Sequence, residues 1–395
     1  MSARLAPDFA RFAADAPPPL DVDGLERLAR ARDGAPEESG LDEAVERLRA
    51  AGWLAACLPE RHGGAGLASS ADPSAVRATA DALRALGRAD LALARLWEGH
   101  ANAVKLVALH ASEPLRRLAF ERVAGGALLG VWGAPGADPL RVAEVSGNEW
   151  TLAGAKAYAS GLGLVELAIV TVADPDTGAS RLLLVDVDDP ERQDPGEWRA
   201  SGMRATRSGD YRFDGVRVAP LRRLGGPGVY EREPWFQGGT WRYAAAHVGA
   251  MEALADETLR SLLARGREAD PHQRARLGRA AALVAGARAL VERAAVEVET
   301  VDPGHARAVA HAVALALLAR ELVEGHATEL LALVERSLGM AAYERGARVE
   351  RLRRDLGLYL RQAAPDAKLA LAADTLAGEA RDDAGDGARG LGALW

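Results

Sequence analysis

Lys156, Tyr158 and Ser160 stand at alternate positions in the segment Trp150–Gly161, WTLAGAKAYASG. In an extended strand that period puts three side chains on one face. An aromatic ring and a hydroxyl two residues apart can serve a flat, hydrogen-bonding ligand, the ring on its face and the hydroxyl at its edge. An ordinary barrel strand with one wet face has the same pattern. His100, in LWEGHANAV on a predicted helix, has the chemistry of a general acid or base, although packing histidines are commoner. Asn102 is similarly placed, and His247 sits in an alanine-rich helix as a packing residue. His305 and His311 are six apart, which does not put two ligands on one helix face, so no zinc site is expected. There is no Gly-x-Ser-x-Gly elbow and no Cys-His pair for nucleophilic catalysis. Cys57, the one cysteine, lies in the apolar run Trp53–Leu58 and is expected to be a buried structural thiol.

Three kinds of segment must position these residues. Residues 1–20 contain Ala-Pro-Pro-Pro-Leu and are expected to form a flexible arm. Residues 21–124 read as a helical domain, with one helix over 41–51 and helix again from Asp72-Pro73 to Leu118, broken near Glu113-Pro114. Gly63, Gly64 and Gly66 close a turn; no Lys-Ser/Thr follows, so a phosphate loop is a weak reading. Over 125–225 the pattern turns to short β-branched runs: Leu128–Trp132, Trp150–Leu152, Leu167–Val172, Arg181–Val187 and Tyr211–Val218. Gly, Pro, Asn and Asp punctuate them, as in a small β-barrel or sandwich. Residues 226–378 return to helix, with His272–Thr300 and His305–Leu338 long enough for a bundle and Asp302-Pro303-Gly304 as the turn between them. The Gly- and Asp-rich residues 379–395 read as a mobile tail. The fold class expected is α+β and multidomain: an N-terminal helical domain, a middle β-barrel and a C-terminal four-helix bundle.

Bulk properties exclude several function classes. The chain has 395 residues, 49% hydrophobic and 27% charged, with a net charge of −7. That balance carries no nucleic-acid footprint. No apolar run approaches the ~20 residues of a membrane span. One cysteine and no basic-then-apolar start suit a reducing cytoplasm. Only Lys105, Lys156 and Lys368 are lysines, which makes each more notable against the arginine background.

Several segments, taken in order, resemble the acyl-CoA dehydrogenase family of flavoproteins. GWLAACLPERHGGAGL (52–67) resembles its Gly-Trp…Pro-Glu…Gly-Gly-x-Gly-Leu stretch. VWGAPGAD (131–138) resembles the Thr-Glu-Pro-Gly-Ala-Gly-Ser-Asp segment along the flavin. Lys156–Gly161 resembles the Lys-x-Trp-Ile-Thr-Asn strand. GMRATRSGDYRFDGVRVAP (202–220) resembles the end of the family's barrel, and ERLRRDL (350–356) its Arg-Asp signature. The resemblance covers roughly residues 21–375 and implies FAD as cofactor. It places Trp132 and Gly133 beside the isoalloxazine, Tyr158 packed on it and Ser160 bonded at its edge. Arg265 and Gln273, in RGREADPHQ, would hold pyrophosphate and adenosine. Arg336 and Gly339, in RSLGMAAY, match a loop that reaches a neighbouring subunit's FAD.

The departures concern catalysis. The family's Glu-Gly-Thr glutamate, which removes the substrate α-proton, falls near Ala363 in RRDLGLYLRQAAPD, with Pro365 in place of the threonine. Its alternative place, on the first bundle helix, falls near Gly239 in GGTWRYAAAHVGAM. A methyl or a hydrogen takes no proton, so the catalytic base is unassigned, with His100 the remaining candidate. The resemblance implies α,β-dehydrogenation of an acyl-CoA or other acyl thioester by a homodimer or homotetramer, with an electron-transfer partner. Two alternatives stay open: a flavin monooxygenase on the same fold, with a histidine such as His100 as its acid or base, and a non-catalytic scaffold.

Overall fold

The computed structural model describes residues 19–34, 40–196, 198–361 and 364–383. The expected flexible arm therefore lies outside the described residues apart from 19 and 20, and so does the expected tail beyond 383.

The first helices are α1 (Val22–Ala31), α2 (Asp42–Ala50), α3 (Pro73–Ala89), α4 (Leu91–His110) and α5 (Glu113–Ala124). Asp72 starts α3 by accepting from the Ser74 and Ala75 amides, with Pro73 in the first turn. The helix expected to run on through 90 is cut there. Asp90 is extended (φ −159°), and its carboxylate accepts from the Ala92 and Leu93 amides, ending α3 and capping α4 in one residue. The same buried carboxylate pairs with Arg32 at the end of α1. α4 is apolar on almost every side, as a central helix must be; it touches β1 (Leu129–Trp132), α3 and α9 (Arg348–Tyr359).

The middle strands are β1, β2 (Arg141–Ser146), β3 (Glu149–Ala153), β4 (Ala155–Ala159), β5 (Leu167–Ala173), β6 (Ser180–Asp186), β7 (Gln193–Asp194), β8 (Gly209–Arg212), β9 (Arg217–Val218) and β10 (Arg223–Leu224). The apolar run of β5 lies between β1, parallel to it, and β6, antiparallel. A strand buried on both faces needs no alternation. In place of one ring of strands, the described residues pair as three small sheets, β1-β5-β6-β10, β2-β3-β9 and β4-β8-β7.

The last helices are α6 (Trp241–Ala264), α7 (Pro271–Thr300), α8 (Ala306–Leu338), α9 and α10 (Pro365–Asp383). Residues 379–383, expected in the tail, continue α10. α6, α7 and α8 pack on one another, α10 lies on α8 and α9 on α6. α3 crosses α6 at two glycines. A Cβ on Gly249 would stand 1.9 Å from the Arg84 carbonyl oxygen, and one on Gly87 2.1 Å from that of Ala246. Helices from both ends of the chain thus close on one hydrophobic core, which also takes in the sheets. Among the described residues no helix is long and apolar enough to cross a membrane, and no cluster of side chains could hold a metal ion. Cys57 is buried, and burial pushes its thiol up, as for an inert structural cysteine.

Candidate functional site

β4 does not keep the expected alternation. Its pairing with β8 slips between Lys156 and Ala159, and Tyr158 takes a left-handed φ of +52°. This is a β-bulge, which turns one side chain out of the strand's period. Lys156 points inward, 5% exposed, and its Nζ donates to the Gly133 carbonyl (2.9 Å) and Thr171 Oγ1 (2.9 Å). Burial pushes its ammonium down to about 8. Tyr158 points out, 68% exposed, edge-on to Trp198 at 6.2 Å. The three side chains therefore do not share a face; Tyr158 and Ser160 share a cleft.

That cleft has a volume of about 620 Å³, within the ~300–1,000 Å³ typical of small-ligand sites. Trp132, Tyr158, Trp198 and Tyr359 supply aromatic surface. Trp132 is fixed by its indole N–H, which donates to the Ser160 carbonyl (3.1 Å). The hydroxyls of Ser160, Ser208 and Thr206 form a chain with links of 3.0 and 2.8 Å. Gly133 faces open space: a Cβ there would meet nothing within 4 Å. Arg95 and Arg361 are the charged lining groups, and no carboxylate lines the cleft among the described residues. Flat aromatic walls, hydroxyl donors at an edge and two guanidinium groups fit an isoalloxazine with its phosphate.

The Arg-Asp signature acts at a distance from the cleft interior, through one of its walls. Asp355 on α9 is buried and accepts from the Met203 amide at 2.7 Å. Arg354 donates to the Ser201 carbonyl (3.0 Å), and Trp198 to that of Gly202 (2.7 Å). A Cβ on Gly202 would lie 2.4 Å from the Arg354 carbonyl oxygen, so the loop rides directly on the α9 backbone. Met203 is held at φ +58°. Non-glycine residues rarely stay in that region unless their surroundings fix them.

A second cavity of about 250 Å³ shares Val131 with the cleft. Between the two stands an ion pair. Glu98, lining the second cavity, accepts from Arg95, lining the cleft, at 2.8 Å, and from Asn102 on its other side. Burial alone would lower the Arg95 guanidinium, but Glu98, Tyr359 and Tyr230 together raise it.

His100 lines neither cavity. Its Nε2 faces the Leu54 carbonyl and its Nδ1 accepts from the Leu129 amide, both at 3.0 Å. Both ring nitrogens are taken by backbone, so the ring clamps α4 to β1 and cannot serve as the acid or base. His247 packs edge-on behind Tyr359 at 4.5 Å. Burial depresses His100 to about 4 and His247 to about 3, with Arg320 a smaller cause for the latter. An unfolded chain takes up these protons near 6.5, whereas the folded chain refuses them until far lower pH. Their contribution is therefore complete above 6.5 and is lost as pH falls through 6.5 toward 4 for His100 and toward 3 for His247, on the order of 3 to 5 kcal/mol per histidine. Urea midpoints should accordingly drop steeply across that interval; a flat profile would contradict neutral burial of the two rings.

The remaining expected site residues lie elsewhere. Arg265 is exposed at the C-terminus of α6, and Gln273 is buried in the first turn of α7, its Nε2 bonded to the Ser337 carbonyl. Arg336 and Gly339 are exposed at the end of α8. None of the four lines the cleft holding Trp132, Gly133, Tyr158 and Ser160. Ala363 lies outside the described residues. Sequence reading missed Arg95, Trp198, Met203, Thr206, Ser208, Tyr359 and Arg361. Five of them fall in or beside segments quoted for the resemblance; Arg95 and Trp198 carry no local signal.

No protein-family model and no curated protein sequence matches the chain. Solved structures do. The dibenzothiophene monooxygenase TdsC from Paenibacillus sp. A11-2 superposes with a TM-score of 0.79 at 20% identity, over 91% of this chain and 96% of that one. A further TdsC structure holds FMN and indole. A nitrososynthase from Micromonospora carbonacea var. africana gives 0.74 at 22% identity, over 91% and 93%. The methanesulfinate monooxygenase MsuC from Pseudomonas fluorescens gives 0.77 at 20%, over 91% and 97%. At such identities the likeness establishes the fold, which is acyl-CoA dehydrogenase-like.

Proposed function

We propose that this chain is a flavin-dependent monooxygenase acting on a small organic substrate. The carrying observation is the absence of a usable base. No carboxylate lines the cleft among the described residues, and Glu98, the carboxylate between the two cavities, is engaged by Arg95 and Asn102. α,β-Dehydrogenation needs a carboxylate on the substrate's α-proton, and losing such a base costs ~10²–10⁴ in rate. Oxygen transfer has no such requirement. The second cavity, smaller than most drug-sized sites, suits a compact molecule better than an acyl thioester. TdsC and MsuC, which share the fold, are named as monooxygenases.

A bound flavin supplies the redox chemistry; the chain's residues bind, orient and dry the site. Tyr158 and Trp198 cover the cleft, Trp132 keeps its position through Ser160, and the Ser160–Ser208–Thr206 hydroxyls offer donors at one edge. Arg95 stays protonated, its charge balanced by Glu98, and would offer a bound flavin an N–H donor on the cleft wall. FMN is the flavin we favour over FAD, because Arg265 and Gln273, the two residues expected to hold pyrophosphate and adenosine, stand away from the cleft, and structures of TdsC and KijD3, which share the fold, hold FMN.

The test is to incubate purified protein with FMN or FAD, desalt it and record the visible spectrum. Retained oxidised-flavin bands, stronger with FMN, are expected. A protein that keeps neither flavin overturns the reading and leaves the scaffold. Rapid anaerobic bleaching by an acyl-CoA would replace oxygen transfer with dehydrogenation.

A further inference from the structure

We propose that the second cavity binds a small aromatic anion, its charged end seated against Lys105 and Arg242 and its ring directed toward Val131 and the cleft. This assigns the substrate class of the site, and it rests on the flavin reading only for the claim that the bound molecule is the substrate.

The charge inventory carries the argument. Lys105, Arg232, Arg242 and Lys368 line the cavity; its one lining carboxylate, Glu98, is held by Arg95, and Glu233, just behind the lining, faces Lys368, so the excess charge sits at Lys105 and Arg242. Deeper in, Lys105 and Arg242 share a single acid, Glu299 from α7. All three are buried, at 7%, 3% and 8% exposure. Both Glu299 oxygens are engaged: Oε1 accepts from Arg242 and from the Trp241 indole, Oε2 from Lys105. Two cations on one carboxylate leave one positive charge beside an internal space. A buried charge of this kind is costly unless something balances it. The described lining offers no further acid, so an anionic ligand seated here would supply the balancing charge and keep Lys105 protonated.

The walls specify the rest of that ligand. The Trp235 ring lies 5.8 Å from Lys105 Nζ, and Tyr230 and Phe236 meet edge-to-face at 5.0 Å. Aromatic surface of this kind holds flat apolar molecules. Glu98 and Lys105 are seven residues apart on α4, about 10 Å along the axis. One end of the cavity therefore adjoins the Arg95–Glu98 pair and the cleft, while the cationic end lies about one aromatic ring plus a carboxylate farther along.

The experiment titrates the protein, before and after flavin loading, with benzoate, phenylacetate and 2-naphthoate and with their neutral amides, by calorimetry. At least one carboxylate is expected to bind ~10-fold or more tightly than its amide. Lys105→Met should remove that preference and Lys105→Arg should restore it. Lys105→Met leaves the neutral Arg242–Glu299 pair and so retains a folded protein, and the carboxylate–amide comparison needs no variant at all. Failure of all three carboxylates to bind, equal affinity for acid and amide, or an unchanged Lys105→Met protein would each overturn the proposal. Anion binding by a protein that retains no flavin keeps the anion site and sinks the redox reading; flavin retention without anion binding does the reverse.

Discussion

Glu299→Ala is expected to lower the unfolding free energy by about 3–5 kcal/mol, the cost of breaking a buried ion pair by deleting one partner. The substitution strands three donors at once: Lys105 Nζ, the Arg242 guanidinium and the Trp241 indole N–H. Burial alone would raise the Glu299 carboxyl, but Arg242 and Lys105 outweigh it and hold it below its usual range. Burial pulls Lys105 down to about 8 even with Glu299 present. Without that acid the lysine is the group most able to relieve the strain, by giving up its proton. Urea denaturation at neutral pH measures the loss as a fall in the midpoint at constant slope. Glu299→Gln, which keeps the shape and two acceptor positions on one oxygen, should fall between alanine and the parent. A loss under about 1 kcal/mol for alanine would mean that water reaches the cluster, since exposed pairs are worth no more than that.

How much of this could be read from the sequence depends on whether a residue's role is local. Asp72-Pro73 starts a helix, Asp302-Pro303-Gly304 turns one helix into the next and β5 is a continuous apolar run. Each signal is complete within a few residues, and each element is where it was expected. Asp90 was missed because one acidic residue in a helical pattern reads as a solvated face, whereas here it is buried, capping α4 and pairing with Arg32. β2 was missed because five of its six residues are exposed or nearly so and give no alternating signal. The bulge at Tyr158 is invisible to periodicity, because a left-handed φ in a tyrosine is imposed by the surrounding fold. The site divides the same way. Trp132, Gly133, Tyr158 and Ser160 were found through neighbouring segments and do share one cleft. Arg95, Trp198 and Tyr359 reach it from three separate parts of the chain, and only tertiary packing brings them together. His100 shows the reverse error: its type suggested proton transfer, but two backbone groups occupy both nitrogens.

Asp355→Ala should do the most damage to the cleft. The carboxylate is buried, and burial raises it although Arg351 pulls the other way. Its Oδ1 accepts from Met203, whose left-handed conformation costs ~1–3 kcal/mol and persists only while the surroundings impose it. Removing the acceptor leaves a buried amide unpaired and frees the 198–208 wall to relax off α9. Trp198, Met203, Thr206 and Ser208 would move together, since all stand on that wall. We expect FMN affinity to fall at least ~10-fold, with a stability loss of ~1–3 kcal/mol from the orphaned amide. Asp355→Asn keeps an acceptor at the same place and should retain most of the binding, which separates the hydrogen bond from the charge. The measurement is a fluorescence-quenching titration of FMN beside a urea melt for each variant. If Asp355→Ala loses stability but binds FMN as tightly as the parent, the wall is held by Arg354 and Gly202 alone, and Asp355 belongs to the core rather than to the site.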